Sequence, residues 1–250
     1  MKFIAIIPAR YASTRFPGKP LAILGGKTVI QRVYEQVKKA LDNVVVATDD
    51  QRIFNHVIDF GGKAVMTGTN HRSGTDRCWE AFINNRGNED IIINVQGDEP
   101  FIRPEQIETI KQCFKDETTD IATLVKPFNP LGSYEELENP NTAKVVFDSN
   151  MNALYFSRSI IPYLRGVDKT VWPSKHQYFT HLGMYAYRAD VLKQITEFAP
   201  SSLEIAESLE QLRWLENGLK IKVGITQHSS IGIDTPNDLE RAEQYITEQS

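Results

Sequence analysis

The sequence predicts an α/β fold: a mostly parallel central sheet with helices on both faces, and antiparallel additions from the middle of the chain. Three observations carry this. Short apolar runs alternate with amphipathic helical stretches from Phe3 to Phe114, the βαβα rhythm of a parallel sheet covered on both faces. From Ile121 to Tyr187 strand-like runs follow one another without regular helices between them, which suggests antiparallel pairing. Helical periodicity then returns after Ala189. Across 250 residues there is no internal repeat, low-complexity tract or linker. A single domain over 1–250 is therefore expected, with an excursion over roughly 127–188 that covers one side of a cleft.

The first strand is Phe3–Ile7, apolar, β-branched and bounded by Pro8. Pro8, Pro17, Gly18 and Pro20 rule out a regular helix before about Thr28. Thr28–Ala40 then places Val29, Ile30, Val33 and Val37 at helical spacing. Asn43–Thr48 reads as a buried strand, Asp50–Phe60 as a helix closed by Gly61 and Gly62, and Lys63–Met66 as a short strand. A polar loop leads to a helix over Gly74–Asn85, and Asp90–Val95 is the next strand. Pro104 starts a helix to about Phe114, matching the preference for proline in the first turn. Strands follow at Ile121–Lys126, Ala143–Asp148, Ala153–Ser157 and Gln177–Tyr187. Helices over Ala189–Glu197 and Glu204–Asn217, a strand at Lys220–Ile225 and a helix from Pro236 complete the pattern.

At 41% hydrophobic and 24% charged, the composition is that of a globular protein. The net charge of -4 argues against a general nucleic-acid or membrane-surface binder, which needs a basic excess. The apolar run after Lys2 is too short for a secretory signal, and no apolar stretch approaches the roughly 18 residues of a bilayer span. Cys78 and Cys113 lie far from any Cys/His cluster and are expected to be buried or half-buried free thiols, which points to the cytoplasm.

Chemistry concentrates first in IIPARYASTRFPGKPL, residues 6–21. It carries Arg10, Arg15 and Lys19 and no acid, on a loop leaving the C-terminal end of a core strand, where open α/β sheets bind ligands. The G-x-G-x-x-G fingerprint is missing. GGKT at Gly25–Thr28 fails as a P-loop because Leu21 stands where the first glycine is required. Backbone amides from Ala9 to Thr14 and three cationic heads remain. Such a cluster suits a triphosphate of roughly four negative charges, with arginine as bidentate donor and lysine as point charge, and reads equally well as a solvated turn whose cations pair with distant carboxylates.

Taken together, that segment and HRSGTDR (71–77), NVQGDEPFI (94–102), HLGMYAYR (181–188) and GIDTPNDLERAE (232–243), in this order, resemble the 3-deoxy-manno-octulosonate cytidylyltransferases, the CMP-Kdo synthetases. The resemblance implies a nucleotide-diphospho-sugar transferase-like, Rossmann-like fold and a homodimer. It implies transfer of CMP from CTP to the anomeric 2-hydroxyl of Kdo, releasing pyrophosphate with Mg²⁺ and activating Kdo for lipopolysaccharide synthesis. Arg10 and Lys19 then belong to the triphosphate site and, with Asp98, to the catalytic set; Ala9, Ser13 and Arg15 lie beside them.

Asp98 follows an apolar strand and Gly97, whose freedom allows a sharp turn, so its carboxylate emerges at the same sheet edge as the cation loop. Mg²⁺ takes one or two carboxylates plus phosphate oxygens and water, and the second candidate is Asp234. Thr235 and Pro236 already form a helix start with Asp238 as its capping acid, which leaves Asp234 free. By resemblance Asp98 and Asp234 are the metal pair. Thr67, His71, Ser73, Gly74 and Arg77 are candidates for reading the nucleotide; Ser73 with Asp76 also has the spacing of a helix cap. For the acid sugar the candidates are Gln96, Arg158, Arg165, His181, Tyr185, Glu210 and Gln211, several of which read equally well as ordinary strand or helix residues. The rival readings are a nucleotidyltransferase for sialic acid or a hexose 1-phosphate, and a nucleotide-sugar-binding module without catalysis.

Overall fold

The structure, a computed structural model, describes residues 1–229 and 232–248. Its early elements are β1 (Phe3–Ala9), β2 (Ile23–Leu24), β3 (Lys27–Thr28), α1 (Val29–Lys38), β4 (Val44–Thr48), α2 (Gln51–Asp59), β5 (Ala64–Met66), α3 (Gly74–Asn84), β6 (Ile91–Asn94) and α4 (Pro104–Cys113). Then come β7 (Ile121–Pro127), α5 (Tyr134–Glu138), β8 (Lys144–Phe147), β9 (Ala153–Ser157), α6 (Trp172–Lys175) and β10 (Phe179–Arg188). The remainder is α7 (Ala189–Thr196), α8 (Ser202–Glu207), α9 (Gln211–Glu216), β11 (Ile221–Ile225) and α10 (Pro236–Glu248). The chain gathers into two compact units. One is formed by Met1–Glu108, Ala186–Thr196 and the described residues from 232 on, the other by Thr109–Tyr185 and the described residues of 197–229.

In the first unit the strands run parallel in the order β6–β1–β4–β5. Ile4, Ala5, Ile6 and Ile7 are fully buried, as expected of a strand covered on both faces. The covering helices bury the predicted apolar stripes, Val29, Ile30, Val33 and Val37 on α1 and Ile53 and Val57 on α2. Thr28, Asp50 and Ser73 cap α1, α2 and α3 by accepting from Gln31, Arg52 and Asp76 amides. The sequence predicts no regular helix before about Thr28 and assigns no strand there; β2 and β3 pair in that stretch around Gly25 and Gly26. Both glycines have positive φ, 53° and 77°, which a two-residue hairpin of this hand requires. A small core of Leu24, Val29, Ile233 and Ala242 joins this hairpin to α10.

In the second unit β11 runs parallel to β7, and β8 pairs antiparallel with both β10 and β9. The expected antiparallel additions are thus present. Two local expectations fail. Short helices, α5 and α6, do interrupt the middle of the chain, α5 being held by a reciprocal capping box of Ser133 and Glu136. Glu204–Asn217 is not one helix. It divides into α8 and α9 because Ser208 takes a left-handed conformation, φ 50°, and the guanidinium of Arg158 claims the carbonyls of Glu207 (2.5 Å) and Ser208 (3.1 Å).

Cys78 and Cys113 are free and buried. Burial pushes the Cys113 thiol up to about 11. Among the described residues no helix is long and apolar enough to cross a membrane.

Candidate active site

A cleft in the first unit is lined by the segment after β1, the start of α3 and the segment after β6. The cation loop is folded on one carbonyl: Tyr11 O accepts from the amides of Ser13 (3.0 Å) and Gly18 (2.9 Å). Gly18, at φ 71°, then starts the 3₁₀ turn Lys19–Leu21. This wrapping brings Ala9, Arg10, Ser13, Arg15 and Lys19 to one cleft wall. Opposite, the backbone at Gly97 approaches β1 so closely that a Cβ there would stand 2.6 Å from the Pro8 carbonyl oxygen. Asp98 is the next residue, and its Oδ2 lies 2.6 Å from Lys19 Nζ.

Asp234 is delivered to the same place from the far end of the chain. Buried Ile233 donates its amide to the carbonyl of Asp98 at 2.8 Å, which locks the two segments side by side. Thr235 and Asp238 cap α10 reciprocally: Asp238 Oδ2 accepts from the Thr235 amide (2.9 Å), and Thr235 Oγ1 accepts from the Asp238 amide (3.3 Å). Asp238 is therefore the capping acid, and Asp234 turns its carboxylate to Lys19 Nζ (3.2 Å) and Arg15 (3.1 Å). Two acids distant in sequence thus converge on one largely buried ammonium, Lys19 being 12% exposed. Paired hard oxygen donors of this kind suit a divalent cation that also takes phosphate oxygens and water.

Of the residues expected to read the nucleotide, Ser73, Gly74 and Arg77 line the cleft. Thr67 and His71 are not among the lining residues. Buried Arg77 donates to Thr67 Oγ1 (2.6 Å) and Asp49 Oδ2 (2.8 Å), and His71 pairs with Glu80. Burial alone would raise the Glu80 carboxyl, but the Gly68 amide and His71 outweigh it and hold it below its usual range. Asp49 was missed by sequence reasoning. Its signal was its place just past the C-terminal end of the VVVAT strand.

Among the sugar candidates, Gln96 lines the same cleft. The others lie in the second unit. Arg158 donates to the carbonyls of Pro140, Glu207 and Ser208, and so acts there as a structural tie. Arg165 is exposed, without a side-chain partner among the described residues. His181 meets Thr123 Oγ1 through Nε2 at 2.9 Å and packs against the rings of Phe156 and Tyr185, the latter resting on Trp214. Glu210 pairs with Arg213 at 2.8 Å. Gln211 is 4% exposed, and its Nε2 has no hydrogen-bond partner among the described residues. Sequence reasoning also missed a buried group nearby. Glu207 accepts from Ser157 (2.7 Å), and Lys144 donates to the carbonyls of Asn139 and Thr142. Burial, and then Arg158, lowers the Lys144 ammonium.

Burial also depresses His181, to about 4. The fold therefore holds it neutral, while the unfolded chain takes up a proton near pH 6.5. Stability is fully present above pH 6.5 and falls as pH drops toward 4, by roughly 1.4 kcal/mol per pH unit. Denaturant unfolding at pH 7 and pH 5 measures this, and His181→Gln is expected to flatten the slope; an unchanged slope refutes it.

The sequence matches the Cytidylyltransferase family over residues 4–221. It is 63% identical to the 3-deoxy-manno-octulosonate cytidylyltransferase of Phocaeicola vulgatus, covering 100% of this chain and 99% of the relative. It is 62% identical to the protein of that name from Bacteroides thetaiotaomicron, over the whole of both chains. A solved CMP:2-keto-3-deoxy-manno-octonic acid synthetase complexed with CTP superposes with a TM-score of 0.91 at 42% identity, covering 100% of each chain. With the cation loop, Asp98 and Asp234 gathered at one cleft and this agreement along its whole length, the chain belongs to the 3-deoxy-manno-octulosonate cytidylyltransferase family.

Proposed function

We propose that the protein transfers CMP from CTP to the anomeric 2-hydroxyl of Kdo and releases pyrophosphate. The observation that carries the chemistry is the convergence of Asp98 and Asp234 on Lys19 in a cleft walled by the cation loop. Arg10 is exposed on that wall with no side-chain partner among the described residues, so its guanidinium is available to phosphate oxygens. In the reaction the Kdo hydroxyl attacks the α-phosphorus while pyrophosphate departs in line. Arg10 and Lys19 stabilise the charge that develops on the leaving group. Asp98 and Asp234 would hold Mg²⁺, which when bound supplies charge neutralisation at the phosphoryl oxygens and a lowered pKa for the attacking hydroxyl. Ser73 and Gly74, at the amino end of α3, place backbone amides at the cleft where the dipole of the helix favours an anion. Gln96 is assigned to Kdo on the motif resemblance, and so, separately, are Arg165, His181, Tyr185, Glu210 and Gln211 of the second unit; Arg158, whose guanidinium is taken up by three backbone carbonyls, is not. The same resemblance supports a cytoplasmic homodimer supplying activated Kdo for lipopolysaccharide synthesis.

The test crosses the four nucleoside triphosphates with Kdo, sialic acid and glucose 1-phosphate, with and without Mg²⁺, and reads pyrophosphate release. Release confined to CTP, Kdo and Mg²⁺ is expected. Equal release with sialic acid or glucose 1-phosphate selects a rival transferase, and CTP binding without release selects a binding module.

A further inference from the structure

The loop that carries the cations is fastened from outside the cleft. Its hub is Tyr11, whose carbonyl gathers the Ser13 and Gly18 amides. The Tyr11 ring also covers Gly18, where a Cβ would lie 3.0 Å from a ring carbon. The guanidinium carbon of Arg52, in the first turn of α2, sits 3.4 Å from the centre of that ring. Arg52 is itself held by both oxygens of Asp50, Nε to Oδ1 at 3.0 Å and a terminal nitrogen to Oδ2 at 2.6 Å. Asp50 cannot swing away, because Oδ1 also accepts the Arg52 amide at 2.9 Å as the cap of α2. Neither Asp50 nor Arg52 lines the cleft.

We propose that Arg52, oriented by Asp50, is a positioning residue for the triphosphate loop and acts through the face of Tyr11; this rests on the reading of that loop as a CTP site. The loop between β1 and the turn at Lys19 contains no regular element, and two of its internal hydrogen bonds, from the Ser13 and Gly18 amides, meet at the Tyr11 carbonyl. Fixing the ring fixes that carbonyl and the neighbouring backbone of Arg10. Pre-ordering the loop spares the ordering cost when the nucleotide binds. An ordinary surface ion pair at a helix start would stabilise α2 slightly and leave nucleotide affinity alone. The clasp instead predicts a selective effect on CTP.

The experiment titrates CTP with Mg²⁺ into the full chain by calorimetry and follows steady-state kinetics with Kdo. Arg52→Leu is expected to weaken CTP binding and raise its KM by about three- to tenfold. The KM for Kdo should stay within about twofold, and any fall in kcat should be smaller than the fall in kcat/KM for CTP, because saturating nucleotide reorders the loop that carries Arg10. Tyr11→Leu should reproduce the effect and Tyr11→Phe should not, because the ring face rather than the hydroxyl is used. Arg52→Lys should recover part of the affinity. The double variant Tyr11→Leu/Arg52→Leu should be no weaker than either single change, the mark of two residues sharing one interaction. Tryptic cleavage after Arg15 should accelerate in both leucine variants as the loop opens locally. Arg52→Leu binding CTP like the wild type overturns the proposal, as do additive losses or a parallel fall in kcat and in affinity for both substrates. A wild-type chain that binds no CTP overturns the nucleotide reading, and the clasp falls with it.

Discussion

Replacing Asp98 by alanine is expected to lower kcat by about 10³-fold or more, the scale for removing a group that stabilises charge at a phosphoryl centre. The cause is local. Asp98 Oδ2 is the closest carboxylate oxygen to Lys19, at 2.6 Å, and sits beside the Gly97 turn at the cleft wall. Lys19 does not become an uncompensated charge in this variant, because Asp234 remains at 3.2 Å, so the fold should persist with a near-native melting temperature. Asp234→Ala should cost less, since that carboxylate is 47% exposed and shared with Arg15. Pyrophosphate release assayed over a range of Mg²⁺ concentrations measures both. Turnover by Asp98→Ala within tenfold of the wild type would remove this residue from the reacting centre.

Gly97→Ala is expected to lose about 10²-fold in turnover by adding a single methyl group. A Cβ placed 2.6 Å from the Pro8 carbonyl oxygen meets backbone on a buried strand, not a flexible side chain that could step aside. The segment after β6 must retreat, taking Asp98 with it, and a displacement of about 1 Å at a reacting group costs on the order of 10² in rate. The hydrogen bond from the Ile233 amide to Asp98 O would stretch with it, so Asp234 moves too. Overpacking of this kind costs about 1–3 kcal/mol of stability, and the melting temperature should therefore fall along with kcat. Wild-type kcat in a well-folded Gly97→Ala protein would show that the close approach is not needed for catalysis.

These two substitutions mark where sequence reasoning reached and where it stopped. The strands and helices of the first unit were legible because β1, β4 and β6 are apolar on both faces and α1 to α3 carry amphipathic stripes with capping residues in front of them. The division of labour between Asp234 and Asp238 was legible for a similar reason: a capping box is a local device with a fixed spacing. The β2–β3 hairpin was missed because two-residue strands have no periodicity to read. The break between α8 and α9 was missed because its cause, the guanidinium of Arg158, comes from some fifty residues away.

Sequence by itself determined the alternation of elements, the loops at the carboxyl ends of strands and the kinds of side chain those loops carry, since each depends on neighbours a few positions apart. Only the tertiary structure decided that Asp98 and Asp234 share one ammonium, that Arg77 is tied to Asp49, and that Arg52 lies over Tyr11. Those pairings depend on how the strands lie side by side and how closely Gly97 lets two segments approach. Distance through space, unlike spacing along the chain, leaves no periodic trace in a single sequence.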